Sequence, residues 1–122
     1  MFIIKIIHPG RTFMELLCVQ GTTLSSLDPM VNLTPTPEVS ADVFVDDKPA
    51  LLSISIVAST NDGFTGMGSI NGNSTSNFDN NRPFVLSSAT ASIMLARGMT
   101  PYPLNPVMVK IDNPNQNSVF MD

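Results

Sequence analysis

Cys18 and His8 are the residues of this sequence that could pair as a catalytic nucleophile and its base. They are the only cysteine and the only histidine of the chain. Such a pair needs a third group to orient the base, and the sequence around neither residue supplies one. One cysteine and one histidine also cannot provide the three or four ligands of a zinc site. We therefore predict a buried, unreactive Cys18 and a turn residue at His8.

A short stretch of oxygen-bearing side chains runs from Asn77 to Asn81 with the sequence NFDNN. Calcium-binding loops place oxygen ligands at alternate positions, and Asp62 lies in the same part of the chain. The stretch lacks the central glycine and the distal glutamate of an EF-hand loop, and asparagine and aspartate are common turn residues. We interpret it as a turn and predict no metal site and no cofactor.

Asp46 and Asp47 are the only adjacent carboxylates in the sequence. Acid–base catalysis by two carboxylates requires environments that move their pKa values apart. These two residues fall in a polar turn, Asp46–Pro49, where neighbouring side chains diverge into solvent. With neither a nucleophile nor a carboxylate pair in place, we predict that the protein is not an enzyme.

The elements that would hold these residues are β-strands. In Ala41–Ala58, with the sequence ADVFVDDKPALLSISIVA, apolar residues alternate with serine after the polar turn. A period of two is typical of a half-buried strand. The stretch therefore predicts a β-hairpin whose turn is Asp46–Pro49, and this hairpin begins an antiparallel sheet.

Other parts of the chain show strand patterns of different clarity. Phe2–Ile7 is apolar and β-branched and ends at a Pro-Gly pair, and in Val107–Ile111 valine and isoleucine alternate with other residues. Arg11–Val19 and Ser87–Ala96 fit either a strand or a short helix. We favour strands for both, and in the second of them Ala91, Ile93 and Leu95 then face the core.

Two segments are irregular. Gln20–Ser40 contains Thr34-Pro35-Thr36-Pro37, and since proline lacks an N–H, this segment cannot be a central strand. We interpret it as a connection that crosses between sheets or extends over a neighbouring subunit. Ser59–Arg82 is rich in asparagine and glycine. Asn71-Gly72 favours a type I′ turn, so a protruding hairpin with Ser74–Phe78 as its second arm is one interpretation.

These elements predict an all-β fold. Seven or so short strands with proline, glycine and asparagine between them are typical of a β-sandwich or a small barrel. A length of 122 residues corresponds to one domain. We therefore expect a single-domain antiparallel β-sandwich or small barrel over residues 1–122, with long irregular loops.

The composition bears on function through its low charge. Charged residues are 13% of the chain, against a usual value of about 25%, and the six cations are scattered, which disfavours nucleic-acid binding. No apolar run reaches the ~20 residues that span a bilayer, and MFIIKII lacks the features of a signal peptide. Because charged residues are depleted at the centres of protein interfaces, we expect a subunit of an assembly, with no membrane or nucleic-acid partner.

Aromatic residues and methionines in irregular segments are the best candidates for contacts with a partner. Phe64 and Phe78 lie in the polar segment 59–82, together with Met67. The C-terminal apolar residues Val119, Phe120 and Met121 are expected to dock, either as a strand of their own sheet or on a neighbour. These six residues form the predicted interface.

The charge-poor surface, the Thr-Pro segment, the Gly/Asn-rich segment and the apolar tail Val119–Met121 together resemble the small β-rich cement, or head-decoration, proteins of tailed bacteriophages. The resemblance covers the whole chain and rests on no motif. It implies a non-enzymatic virion protein, often a trimer, which contacts the major capsid protein or other virion subunits and is assembled in the host cytoplasm. A component of the phage neck or tail is a close alternative.

A carbohydrate-binding β-sandwich module is the alternative from another class, with the segment 59–82 as its binding edge. Carbohydrate recognition uses aromatic platforms beside polar groups. The chain has no tryptophan and one tyrosine, Tyr102, which disfavours this alternative.

Overall fold

The computed structural model describes residues 14–122, which form an all-β structure without a helix. Its strands are β1 (Glu15–Leu16), β2 (Thr23–Ser26), β3 (Asn32–Val45), β4 (Lys48–Ser59), β5 (Thr65–Asn71), β6 (Phe78–Asp79), β7 (Arg82–Pro83), β8 (Thr90–Ile93), β9 (Ala96–Arg97), β10 (Thr100–Pro101), β11 (Val107–Asn113) and β12 (Phe120–Met121). The predicted all-β class is confirmed. The sheets are antiparallel, they do not close into a barrel, and their arrangement is sandwich-like.

The predicted hairpin is confirmed, with a shorter turn and longer strands than expected. β3 and β4 pair from Val45↔Lys48 to Asn32↔Ser59. Asp46 and Asp47 alone form the turn, with φ values of 51° and 65°. Two successive residues with positive φ are typical of a type I′ turn, which matches the twist of the flanking strands. Lys48 and Pro49 therefore belong to β4.

Gln20–Ser40 passes from the three-stranded to the five-stranded sheet, as one of the two expected alternatives had it, but the interpretation of the segment as a connection without strands is wrong. It contains β2 and the first part of β3, and Pro35 and Pro37 pair with Ile56 and Ile54 of β4. The five-stranded sheet has the order β10-β9-β5-β4-β3, so β3 is an edge strand. Proline is tolerated at an edge because its missing N–H lies on the unpaired side. The expectation that this segment is not a central strand is confirmed.

The prediction of a hairpin at Asn71-Gly72 is also wrong. β5 pairs with β4, and the short hairpin that follows joins β6 to β7 through Asn80 and Asn81, whose φ values are 50° and 68°. Gly72 serves close packing instead. A Cβ atom on Gly72 would lie 1.8 Å from the carbonyl oxygen of Pro83.

A second sheet has three strands in the order β2-β11-β8. The strand interpretation of Ser87–Ala96 is confirmed, since β8 pairs with β11 and Ala91, Ile93 and Leu95 are buried. This sheet packs on the five-stranded sheet. A Cβ atom on Gly68 of β5 would lie 2.7 Å from the Ile93 side chain, so the glycine allows the close approach.

Two hydrophobic clusters lie under the long hairpin. The large core joins the two sheets and includes Ile54, Ile56 and Ile70 of one and Val107 and Val109 of the other. The small core lies beside the other half of the hairpin and consists of Leu17, Val19, Val45, Ala50, Leu52, Phe84, Leu86, Val119 and Met121. Both draw on β4, whose alternating buried residues were predicted from the sequence.

The C-terminal residues dock on their own chain. β12 pairs with β1, with Met121 opposite Glu15 and Phe120 opposite Leu16. Strand structure begins at Glu15 within the predicted segment Arg11–Val19, and Val19 bridges to Ala50. The predicted strand Phe2–Ile7, His8 and the turn after it lie outside the described residues.

Candidate interaction surfaces

The cysteine that could have been a nucleophile is inside the large core. Cys18 has no exposed surface. Burial raises the pKa of its thiol to about 12, with a smaller lowering from Thr22 and a further raising from Glu15. Since the thiolate is the reactive form, Cys18 acts as a small apolar residue, as the sequence predicts.

The oxygen-bearing stretch from Asn77 to Asn81 is bonded within the protein. The Asp79 carboxylate accepts a hydrogen bond of 2.6 Å from the Ser40 hydroxyl, and Asn80 and Asn81 form a turn. In residues 14–122 no group of three histidine, cysteine, aspartate or glutamate side chains is placed to hold a metal ion. Asn80 and Asn81 act as turn residues, whereas Asn77 is buried.

Asp122 anchors the Asn-rich segment to the body of the protein. Its buried carboxylate accepts hydrogen bonds from Ser74 Oγ at 2.7 Å, from Asn77 Nδ2 at 3.0 Å and from Thr75 N at 2.9 Å, and also from the Thr75 hydroxyl. Burial raises the pKa of this carboxyl, but the hydrogen bonds lower it more, to well below the usual range. The segment is therefore an ordered part of the fold and not a free loop.

The surface of the described residues carries many large apolar side chains. Those classed as exposed are Leu27, Met30, Val39, Phe44, Val57, Met67, Phe78, Met94, Met99, Leu104, Met108 and Phe120. Single exposed apolar residues are ordinary, whereas groups of them mark interaction sites. Two such groups can be defined from the geometry.

The first group lines a cleft of about 340 Å³, here called the Leu104 cleft. Its walls are Leu27, Asp28, Pro29, Leu104, Pro106, Val107 and Met108. Leu27 and Leu104 are 66% and 63% exposed. The segments are held together by the hydrogen bond from Leu27 N to Met108 O, at 3.0 Å. An apolar cleft of this size fits side chains of a partner better than a large ligand.

Asp28 is among the residues that line the Leu104 cleft, but its carboxylate is bonded to two residues that do not line it. Asp28 Oδ2 accepts a hydrogen bond of 2.5 Å from the Tyr102 hydroxyl, and Asp28 Oδ1 accepts one of 2.9 Å from Met30 N. The hydrogen bond to Asp28, followed by burial, raises the pKa of Tyr102 to about 12. The residues that line the cleft are thus predominantly apolar.

The second group is the outer face of β3, β4 and β5, here called the neutral sheet face. Val57 and Met67 are opposite each other at its centre and are 47% and 79% exposed. The residues around them are Asn32, Thr34, Thr36, Glu38, Ser53, Ser55, Ser59, Thr65, Ser69 and Asn71. Short neutral side chains lose little entropy when a partner covers them, so this face is suited to a flat contact.

The only charged group among those paired positions of the neutral sheet face is Glu38, and it is neutralised by an ion pair. Arg82 Nη2 donates to Glu38 Oε1 at 2.5 Å. The Arg82 hydrogen bond, with one from Ser53, lowers the pKa of Glu38 to about 2. The pair lies at one end of the face and leaves the centre uncharged.

The predicted interface residues fall into two sets. Met67, Phe78 and Phe120 are exposed and are available to a partner. Phe64, Val119 and Met121 are buried in the protein's own cores, and Phe64 packs against Tyr102 with 5.3 Å between ring centroids. As folded, these three stabilise the chain itself. Their contact with a partner stays a prediction, and of the exposed three only Met67 belongs to one of the two surfaces defined above, the neutral sheet face.

Sequence reasoning missed the Leu104 cleft. Its lining comes from two segments far apart in the sequence, near residues 27–29 and 104–108. A signal was present in Pro103-Leu104-Asn105-Pro106, where a single leucine lies between two prolines. Prolines on both sides prevent it from joining a strand core, which favours exposure.

Comparisons with protein-family models, with curated proteins and with solved structures found no match. Within residues 14–122 there is no helix long and apolar enough to cross a membrane.

Proposed function

We propose that this protein is a non-enzymatic structural subunit of a virion, a cement protein that stabilises a phage head through contacts with the major capsid protein. The observation that carries the proposal is the combination of an apolar cleft and a neutral sheet face on a chain with 13% charged residues. Surfaces of this kind lower the solubility of a free monomer, because exposed apolar groups promote association.

Several separate surfaces suit a subunit that contacts more than one neighbour. The Leu104 cleft is at the Val107 end of β11, and the neutral sheet face belongs to the other sheet. A lattice engages many copies at once, so individually weak contacts give a firm attachment. A trimer that binds between capsid subunits uses its surfaces in this way, and a neck or tail component would use them similarly.

The carbohydrate-binding alternative gains little support from the described residues. Tyr102 is buried, and its hydroxyl is bonded to Asp28. Exposed Phe44, Phe78 and Phe120 lie on three different strands, β3, β6 and β12, and sugar sites need an aromatic platform beside polar groups.

The test is co-sedimentation with capsid shells assembled from the capsid gene of the same genome. The full chain should sediment with the shells at a saturating, fixed number of copies and raise the temperature at which they disassemble. The Met67→Asp variant should bind more weakly, and a Met94→Asp variant, which makes the same change in charge at an exposed methionine outside the neutral sheet face, serves as its charge-matched control. Absence of binding to shells and to tail assemblies, together with binding to glycans, would overturn the proposal.

A further inference from the structure

We infer that a second concave site, here called the Asp62 pocket, binds an arginine side chain of the virion subunit that this protein contacts. The pocket has a volume of about 330 Å³ and is lined by Met30, Thr60, Asn61, Asp62 and Tyr102. The inference rests on the proposed function, because it takes the partner to be a virion protein. It adds the chemistry by which that partner is recognised.

The Asp62 pocket lies at one end of the long hairpin, where three segments of the chain meet. Met30 is two residues before the start of β3, and Thr60 directly follows the last residue of β4. Tyr102 directly follows β10, and its N donates to Leu95 O at 2.9 Å. The turn of the hairpin, at Asp46 and Asp47, is at the opposite end of β3 and β4.

Hydrogen bonds hold the walls of the pocket in place. Thr60 N donates to Phe64 O at 2.9 Å, and Phe64 N donates to Thr60 Oγ1 at 3.1 Å, which closes the loop between β4 and β5. In the other wall, the Asp28 carboxylate accepts hydrogen bonds from the Tyr102 hydroxyl at 2.5 Å and from Met30 N at 2.9 Å. A site that is already formed loses less entropy when a ligand binds.

Two carboxylates make the pocket acidic. Asp62 lines it, and its Oδ1 accepts a hydrogen bond of 2.5 Å from the Thr60 hydroxyl, whereas its Oδ2 accepts none from residues 14–122. Asp28 is bonded to two of the lining residues. The ion pair formed among residues 14–122 joins Arg82 to Glu38, so neither Asp28 nor Asp62 has a cationic partner there.

Tyr102 is exposed to the charge of both carboxylates. The hydrogen bond to Asp28, burial, and the charges of Asp28 and Asp62 together raise the pKa of its hydroxyl to about 12. Arg97 is a cation beside the pocket, but its Nη1 donates to the Asp62 backbone oxygen at 2.8 Å and its Cζ lies 4.6 Å from the centroid of the Phe64 ring. Two carboxylates against one guanidinium leave one negative charge.

A cation at the end of an apolar stem matches these groups. Met30 and Tyr102 offer apolar surface to the stem, and Asp62 Oδ2 and the Asn61 amide oxygen are acceptors for the cation. Arginine is best suited, because its guanidinium presents several donors in one plane and is less strongly hydrated than an ammonium group. A bare metal ion is disfavoured, since no three acidic, histidine or cysteine side chains of the described residues are placed to hold one.

The Asp62 pocket adjoins the Leu104 cleft, which favours a protein partner over a free small molecule. Asp28 lines the cleft, and its carboxylate is bonded to Tyr102 and Met30, which line the pocket. One segment of a partner can therefore place an apolar side chain in the cleft and an arginine in the pocket. The apolar side chain contributes affinity, and the charge complementarity fixes the register of the segment.

The first experiment titrates the ¹⁵N-labelled full-length protein with N-acetyl-arginine amide. In parallel it uses N-acetyl-citrulline amide, which has nearly the same shape and no charge. We expect saturable shifts of the NMR signals of residues 60–62 and Met30 with the arginine compound only. Asp62→Asn keeps the oxygen that accepts from Thr60 and should weaken this binding by ~5-fold or more.

Asp47→Asn is the matched control. It removes the same charge from an exposed residue at the far end of the hairpin, where the positive φ is one that asparagine also adopts. This variant should change the binding of the arginine compound by less than ~2-fold. Equal binding of the arginine and citrulline compounds, or no shift at residues 60–62 and Met30, would overturn the inference.

The second experiment identifies the partner by co-sedimentation with capsid shells. Asp62→Asn should bind the shells ~3-fold or more weakly than the wild type, with a smaller dependence on salt, whereas Asp47→Asn should bind as the wild type does. Unchanged binding of Asp62→Asn would overturn the inference and leave the proposed function standing. If the arginine compound binds in the pocket but the protein binds neither shells nor tail assemblies, the proposed function fails, and the virion partner named here fails with it.

Discussion

Asp122 provides the sharpest prediction about the stability of this fold. Its carboxylate joins β12 to the turn at residues 74–77, and its neighbours Ser74 and Asn77 are themselves buried. Replacement by asparagine keeps the size but removes the charge and turns a donor toward groups that are already donors. Two of the buried partners then lose an acceptor.

The magnitude follows from the hydrogen bonds. A hydrogen bond to a charged group contributes about 1.5–3 kcal/mol, and a buried donor left unpaired costs about 1–3 kcal/mol. Because these contributions share one carboxylate they are not additive. We expect Asp122→Asn to lower the free energy of unfolding by about 2–4 kcal/mol, a large part of the 5–15 kcal/mol typical of a domain.

The Asp122 carboxylate also determines in which direction the free energy of unfolding changes with pH. Its pKa in the folded protein is lowered, below the value of about 3.9 for an unfolded aspartate. The stabilisation is therefore complete above about pH 5 and is lost as the pH falls below about 4 toward the folded pKa. Asp122→Asn should remove this part of the acid dependence.

Urea unfolding followed by far-ultraviolet circular dichroism is the suitable assay, since the chain has no tryptophan. Asp46→Asn is the matched control, because Asp46 is exposed in a turn with positive φ, which asparagine also adopts. Equal stabilities of the wild type and Asp122→Asn at pH 7, or the same loss of stability between pH 5 and pH 3 in both, would refute the reasoning.

Two further predictions concern β3 and β5. Pro35→Val with Pro37→Val restores two backbone donors on the free edge of β3, so association should grow with time in light scattering, whereas Thr36→Val adds no donor and should not have this effect. Gly72→Ala places a Cβ atom against the Pro83 carbonyl oxygen, and we expect a loss of about 1–3 kcal/mol in urea unfolding. An unchanged midpoint would mean that this close contact does not exist.

The parts of the fold that were predictable have one buried face. Val107–Ile111 and Leu52–Ile56 alternate in sequence, and the structure buries the predicted apolar residues of both. This works because the side-chain period of a strand is two, so a single buried face fixes the pattern. The choice of strand over helix for Ser87–Ala96 succeeded for the same reason.

The predictions that failed concern segments whose structure depends on contacts between distant residues. Asn71-Gly72 has the sequence of a turn, but Gly72 is required by its approach to Pro83, which no local pattern reveals. Thr34–Pro37 has the sequence of a connection, and only its position at a sheet edge makes a strand possible. Local preference was overridden by tertiary position in both cases.

The candidate surfaces were predictable only in part. Low charge favoured an interface, and Met67, Phe78 and Phe120 are exposed as an interface requires. Val119 and Met121 have the same apolar character but face the small core, because alternate residues of a strand point to opposite sides. Which of several apolar residues are inward is decided by pairing with β1, and the sequence does not contain that pairing.

The central claim is that this chain functions as a subunit of an assembly. The most direct measurement is the mass of the full-length protein in solution by light scattering across a range of concentrations. We predict an oligomer, with a mass three times that of the 13.1 kDa chain, whose dissociation is promoted by Leu104→Asp. A mass equal to that of a single chain at every concentration would contradict the account.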